Sequence, residues 1–165
     1  MTIRVAIVTV SDKSSRDERP DAGGPAIREA LTANGVDFSE VDYRVIPDEE
    51  QLIGEALFHL TERGDVDLIL TTGGTGLAPR DVTPQATLHA VDYEVPGIAE
   101  AMRGASLRVT PMGMLSRSVA GVRKRTLIIN LPGNPKAVRE NLNAIAAALS
   151  HAVDTLHGDV GEHSR

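Results

Sequence analysis

The chain has 165 residues, neither cysteine nor tryptophan, and 17 Lys and Arg against 23 Asp and Glu, a net charge of −6. That length suits one domain with a single core. The acidic balance and an aromatic content of 2% leave neither the basic field nor the stacking rings on which nucleic-acid binding depends. Without cysteine, disulfides, thiolate catalysis and cysteine-held metal centres are excluded, so any chemistry comes from oxygen and nitrogen groups. No apolar run reaches the roughly 18 residues of a membrane span. The opening Met1-Thr2-Ile3-Arg4-Val5 has no leader-like apolar segment, so a soluble, cytoplasmic protein is expected.

In chain order, Val5-Ala6-Ile7-Val8-Thr9-Val10 predicts a buried strand, and the polar Ser11-Asp12-Lys13 after it starts a long charged loop. Gly23-Gly24-Pro25 opens a helix, with Pro25 at its first position, Ile27, Ala30 and Leu31 at helical spacing, and Gly35 placed to end it. Alternation across Val41-Asp42-Tyr43-Arg44-Val45-Ile46 predicts a second strand. Asp48 stands where a cap for the next helix belongs, with Gln51 following as in a capping box. Leu52, Ile53, Ala56, Leu57 and Leu60 form that helix's apolar stripe, which should stop near Gly64. A strand over 67–71 completes the order strand, helix, strand, helix, strand, which calls for crossover helices and a parallel sheet.

Thr83-Pro84 reads as cap and first residue of a helix reaching Val91, and another helix is expected over 98–108. Over 110–124 a helical turn and then an extra strand are expected, with Arg123-Lys124-Arg125 as a solvated strand edge or an intersubunit surface. Thr126-Leu127-Ile128-Ile129-Asn130-Leu131 is a strongly apolar strand, and an alanine-rich helix follows over 136–156. One domain over 1–156 then leaves 157–165 as a flexible tail.

In an open parallel sheet, ligands bind beyond the carboxyl ends of the strands, so the loops there are the candidates for function. The most informative is Leu70-Thr71-Thr72-Gly73-Gly74-Thr75-Gly76, a strand emptying into an anion-binding loop. Its glycines let a ligand approach the backbone and allow several N–H groups to aim at one point, and Thr71, Thr72 and Thr75 add hydroxyls. Asp48 and Asp81 supply carboxylates that could hold Mg²⁺. From spacing alone, Asp48 serves equally as a helix cap, and Asp81 as an Asx turn or a partner of Arg80. The chain has no Gly-Lys-Ser/Thr P-loop, no Gly-x-Gly-x-x-Gly after its first strand, no Gly-x-Ser-x-Gly elbow and no i, i+4 histidine pair.

Taken in order, Ser11-Asp12, Ile46-Pro47-Asp48-Glu49, Thr71 to Gly76, Arg80-Asp81-Val82-Thr83-Pro84, Pro96-Gly97, Leu115-Ser116-Arg117 and Leu131-Pro132-Gly133-Asn134-Pro135 resemble the molybdopterin adenylyltransferase (Mog/MoaB-like) family. The resemblance spans nearly the whole chain. It implies a three-layer α/β/α domain with a mostly parallel sheet, the molybdopterin-binding fold, commonly trimeric. It also implies Mg-ATP-dependent adenylylation of molybdopterin with release of pyrophosphate, preparing the product for a molybdate-insertion partner protein. Asp48 and Asp81 match the family's catalytic, Mg²⁺-associated aspartates. Ser11, Asp12, Thr72, Gly73, Gly74, Thr75, Gly76, Thr83, Ser116, Arg117, Pro132, Gly133, Asn134 and Pro135 match its nucleotide- or pterin-facing positions. The segment 14–24 departs from the pattern, lacking an aromatic shortly before Asp21. A non-catalytic molybdopterin carrier of the same pathway is the alternative expectation.

Overall fold

Side-chain alternation sorts the strands onto two faces of one sheet, as the period of two in an extended chain requires. In the computed structural model, which describes residues 1–158, β1 (Ile3–Val10), β2 (Phe38–Ile46), β3 (Leu68–Thr72), β4 (Tyr93–Glu94), β5 (Ala120–Arg123) and β6 (Thr126–Leu131) form a six-stranded sheet of order β2-β1-β3-β6-β5-β4. The first four in that order run parallel and the β6–β5–β4 edge is antiparallel. Ile7, Leu70 and Ile129 face one core with α2 (Gly23–Ala33), α5 (Pro96–Val109) and α6 (Pro135–His157), while Val8, Ile69 and Ile128 face another, where Ile53, Leu57 and Ala86 of α3 (Glu50–Glu62) and α4 (Thr83–Ala90) pack. Both faces are therefore covered, which explains why β3 and β6 are buried at every residue.

The helix starts differ from the sequence reading in which polar groups serve their first turns. Pro25 is the third residue of α2, and the cap is supplied by Asp21, whose carboxylate accepts from Gly23 N (2.9 Å) and Gly24 N (3.0 Å). α3 has no side-chain cap, because Asp48 is engaged across the sheet end with Asp12. Thr83 is the first residue of α4 and not its cap, and its fully buried hydroxyl donates to Gly73 O at 2.9 Å. The charged segment after β1 begins with a short helix, α1 (Asp12–Ser15), capped by Ser11.

A 3₁₀ turn (Pro111–Leu115) precedes β5, as expected, whereas the two-residue β4 is too short to leave a periodic signal. Arg123 ends β5, Lys124-Arg125 form the β5–β6 turn, and all three bind their own chain. Arg123 lies 4.7 Å from the Phe58 ring centroid, Lys124 Nζ is 2.6 Å from Glu62, and Arg125 donates to His157 O at 3.0 Å. His157 still belongs to α6, which Gly158 ends in the left-handed conformation at φ 76°; the rest of the expected tail, 159–165, lies outside the described residues. No helix among the described residues is long and apolar enough to cross a membrane.

Candidate active site at the carboxyl ends of the strands

The chain leaves β1 toward β2 on one side and returns to β3 on the other, so the strand order reverses between β1 and β3. A crevice opens at such a switch point. Here it is a cavity of about 530 Å³, bounded by Thr9, Val10 and Ser11 at the end of β1, Thr72, Gly73 and Gly74 at the end of β3, and Gly133, Asn134 and Pro135 after β6. Asp21, Asp48 and Asp81 place three carboxylates on its wall.

The glycine loop is fastened through its carbonyls. Thr83 Oγ donates to Gly73 O (2.9 Å) and Thr83 N to Gly74 O (3.1 Å), while Arg117 N donates to Thr75 O (3.0 Å) and Arg117 Nε to Gly76 O (2.8 Å). A trans peptide points its C=O and the following N–H in opposite directions. Anchoring four successive carbonyls therefore turns the N–H groups of Gly74, Thr75 and Gly76 away from the anchors, and these donate to no protein acceptor among the described residues. Gly73 (φ 99°) and Gly74 (φ 65°) occupy backbone that side chains rarely adopt, and a Cβ on Gly73 would fall onto the Val10 carbonyl oxygen. The result is a fixed array of donors suited to phosphate oxygens.

The acidic side of the cavity is equally fastened. Asp12 N donates to Asp48 Oδ2 at 2.8 Å and Asp48 N to Asp12 Oδ1 at 3.0 Å, a reciprocal clasp between the loops after β1 and β2. Arg80 adds a bidentate pair to Asp12, at 2.9 and 2.7 Å, which draws the Asp12 carboxyl below its ordinary range. Asp48 moves the other way. Burial, together with the neighbouring charges of Asp12 and Asp81, raises its carboxyl above the usual value, against the opposing Asp12 N–H and Arg80.

The family described as "probable molybdopterin binding domain" matches residues 6–151. The chain belongs to the molybdopterin-binding domain family. It is 44% identical to the molybdopterin adenylyltransferase of Escherichia coli K12 over 157 residues, 95% of this chain and 80% of that protein. It is 40% identical to the molybdopterin adenylyltransferase of Helicobacter pylori J99, covering 96% of this chain and 90% of the other. Among solved structures, the molybdopterin biosynthesis enzyme MoaB from Thermus thermophilus superposes with a TM-score of 0.88 at 53% identity, covering 95% of this chain and 98% of that one.

Within this molybdopterin-binding domain, Ser11, Asp48, Thr72, Gly73, Gly74, Asp81, Gly133, Asn134 and Pro135 line the cavity as the sequence suggested. Others support it from behind. Asp12 orients Asp48, Thr83 anchors the loop, and the Pro132 carbonyl accepts from Thr72 Oγ at 2.8 Å. Arg117 is committed to loop carbonyls, including that of Asp81, instead of facing the cavity, and Ser116 Oγ bonds Ser118 Oγ at 3.1 Å. Thr71 Oγ accepts from buried Asn130, so it is spent inside the sheet. Asp81 Oδ2 accepts from Ala78 N at 3.0 Å, a bond back to the residue three before it and so not the expected Asx turn, and Arg80 passes it by for Asp12. The polar cavity residues missed from sequence were Thr9, Ser14, Arg19 and Asp21. Asp21 could have been found by its place two residues before Gly23, within reach of the first free N–H groups of a helix.

Proposed function

We propose that this chain is a molybdopterin adenylyltransferase of molybdenum cofactor biosynthesis. It transfers AMP from Mg-ATP to the phosphate of molybdopterin and releases pyrophosphate. The supporting observation is a cavity in which anchored backbone donors stand beside Asp48 and Asp81, on a chain 44% identical over most of its length to a molybdopterin adenylyltransferase. In this reading a molybdopterin phosphate oxygen attacks the α-phosphorus of ATP, that P–O bond forms, and the bond to the β-phosphate oxygen breaks. No protein nucleophile is needed. The loop N–H groups hold phosphate oxygens, and the clasped loops keep the two polyanions aligned without reorganisation at the moment of transfer.

The donor set suits magnesium. No group of three or more acidic or histidine side chains able to hold a metal occurs among the described residues, while Asp48 and Asp81 offer two carboxylates on one cavity wall, where burial and then neighbouring charge disfavour ionisation of Asp48. Magnesium keeps several waters and takes one or two carboxylates together with substrate phosphates, so these two aspartates would hold it. When bound, it supplies neutralisation of phosphate charge. The protein is proposed to work in the cytoplasm as a homotrimer and to pass its product to a molybdate-insertion partner. Exposed apolar side chains grouped in sequence, Leu107, Val109, Met112, Met114 and Leu115, support self-association.

The test is pyrophosphate release from ATP with molybdopterin and Mg²⁺. Release by the wild-type protein and its loss in Asp81→Asn supports the reading. Molybdopterin binding with no release makes the chain a carrier instead.

A further inference from the structure

Three aspartates line the cavity, yet only one described residue on its wall carries a positive charge, Arg19. The nearby charges are otherwise spoken for. Asp21 accepts from Thr9 Oγ, Gly23 N, Gly24 N and Tyr43 OH, and Asp12 is matched by Arg80. Glu18, the acid beside Arg19 in sequence, is held by Arg16 at 2.7 and 3.2 Å. Arg19 itself makes a single long contact, Nη2 to Ser11 Oγ at 3.3 Å, and pairs with no carboxylate among the described residues.

An exposed guanidinium resting on a neutral hydroxyl contributes little to the fold. Its rigid fork is matched instead to two oxygens of a phosphate, where the hydrogen bonds are charge-assisted. The tether also suits the task. Arg19 sits between α1, capped by Ser11, and Asp21, fixed to β1 through Thr9 and to β2 through Tyr43, so its backbone is anchored on both sides while its side chain is loosely held. We infer that Arg19 is a substrate-phosphate contact: its guanidinium exchanges Ser11 Oγ for phosphate oxygens of the nucleotide or the pterin. This rests on the functional reading above and adds to it the one side-chain cation on an acidic wall.

The experiment titrates the intact chain calorimetrically with Mg-ATP and, separately, with molybdopterin, for the wild type, Arg19→Ala and Arg19→Lys. One charge-assisted contact corresponds to about tenfold in affinity. Arg19→Ala is expected to weaken one ligand about tenfold, with its thermal midpoint unchanged, and Arg19→Lys to recover part of the loss; the ligand that weakens identifies the phosphate. An Arg19→Ala variant that binds both ligands as the wild type does overturns the assignment alone. Wild-type protein that binds neither ligand overturns the functional reading and this assignment together.

Discussion

At the amino-terminal end of the strands, Asp67 is almost wholly buried, and Arg4 grips it with Nη2 at 2.6 Å, Nε at 3.1 Å and its backbone N–H at 2.8 Å, while His157 Nε2 stands 3.3 Å away. Burial alone would raise that carboxyl, but Arg4 outweighs it and holds Asp67 below its ordinary range. At the carboxyl end, half-buried Asp48 receives one N–H, from Asp12, and burial first, then the neighbouring acids, push its carboxyl upward. The same residue type therefore strengthens the fold at one end of the sheet and is held against its preference at the other. Carboxylates whose ionisation the fold disfavours cluster at functional sites.

The contrast can be broken most sharply at Asp48. Asp48→Asn should lower the rate of pyrophosphate release about 10²- to 10³-fold, the range for removing one group that stabilises transferring charge. The same variant should melt a few degrees above the wild type, because the unfavourable charge is gone. A lower midpoint for Asp48→Asn would contradict the electrostatic account.

Asp67→Ala tests the opposite end. It should cost about 2 kcal/mol in denaturant titration, because the hydrogen bonds of the buried carboxylate to Arg4 are lost while the half-exposed guanidinium can turn to water. Turnover at a temperature where the variant is folded should be unchanged. Arg117→Ala comes next, with about a tenfold loss of kcat and a small loss of stability, since loosened carbonyls misdirect the loop's N–H donors without removing them. A change confined to the thermal midpoint would reduce Arg117 to a structural brace.

The smallest effect is in pH dependence. Asp67 binds a proton less readily folded than unfolded, so its contribution is present above its ordinary value near 3.8 and is lost as pH falls through that value and below. Asp48 binds a proton more readily folded, so its penalty is complete at neutral pH and lifts as pH falls through its raised value. Stability profiles of Asp67→Ala and Asp48→Asn, each subtracted from the wild type, should slope in opposite directions on the acid side, Asp48's change falling above pH 3.8 and Asp67's below it. Parallel slopes would remove the distinction between the two ends.

Strands, layers and the glycine loop were legible because alternation and turn residues act over a few positions. Residues 68–70 and 127–129 alternate between the two cores as their apolar runs require. The clasp of Asp12 on Asp48 spans 36 positions and Arg117's hold on Gly76 spans 41, and no local period encodes either. Asp48 accordingly looked like a helix cap and Arg117 like a ligand for substrate. The motif order gathered residues from one end of the sheet, but only the fold separated those that line the cavity from those that hold it in shape.

Gly73 sits where the ends of three strands meet, with its missing Cβ replaced by the Val10 carbonyl, its N–H on Leu131 O at 3.2 Å, and its Cα 3.4 Å from where a Cβ on Gly133 would stand. The width of the cavity mouth is thus gauged by an absent methyl group. Any side chain at position 73 would act as a wedge, prising β1 and β6 from β3 at the one place where the donors must stay in register with the acids opposite.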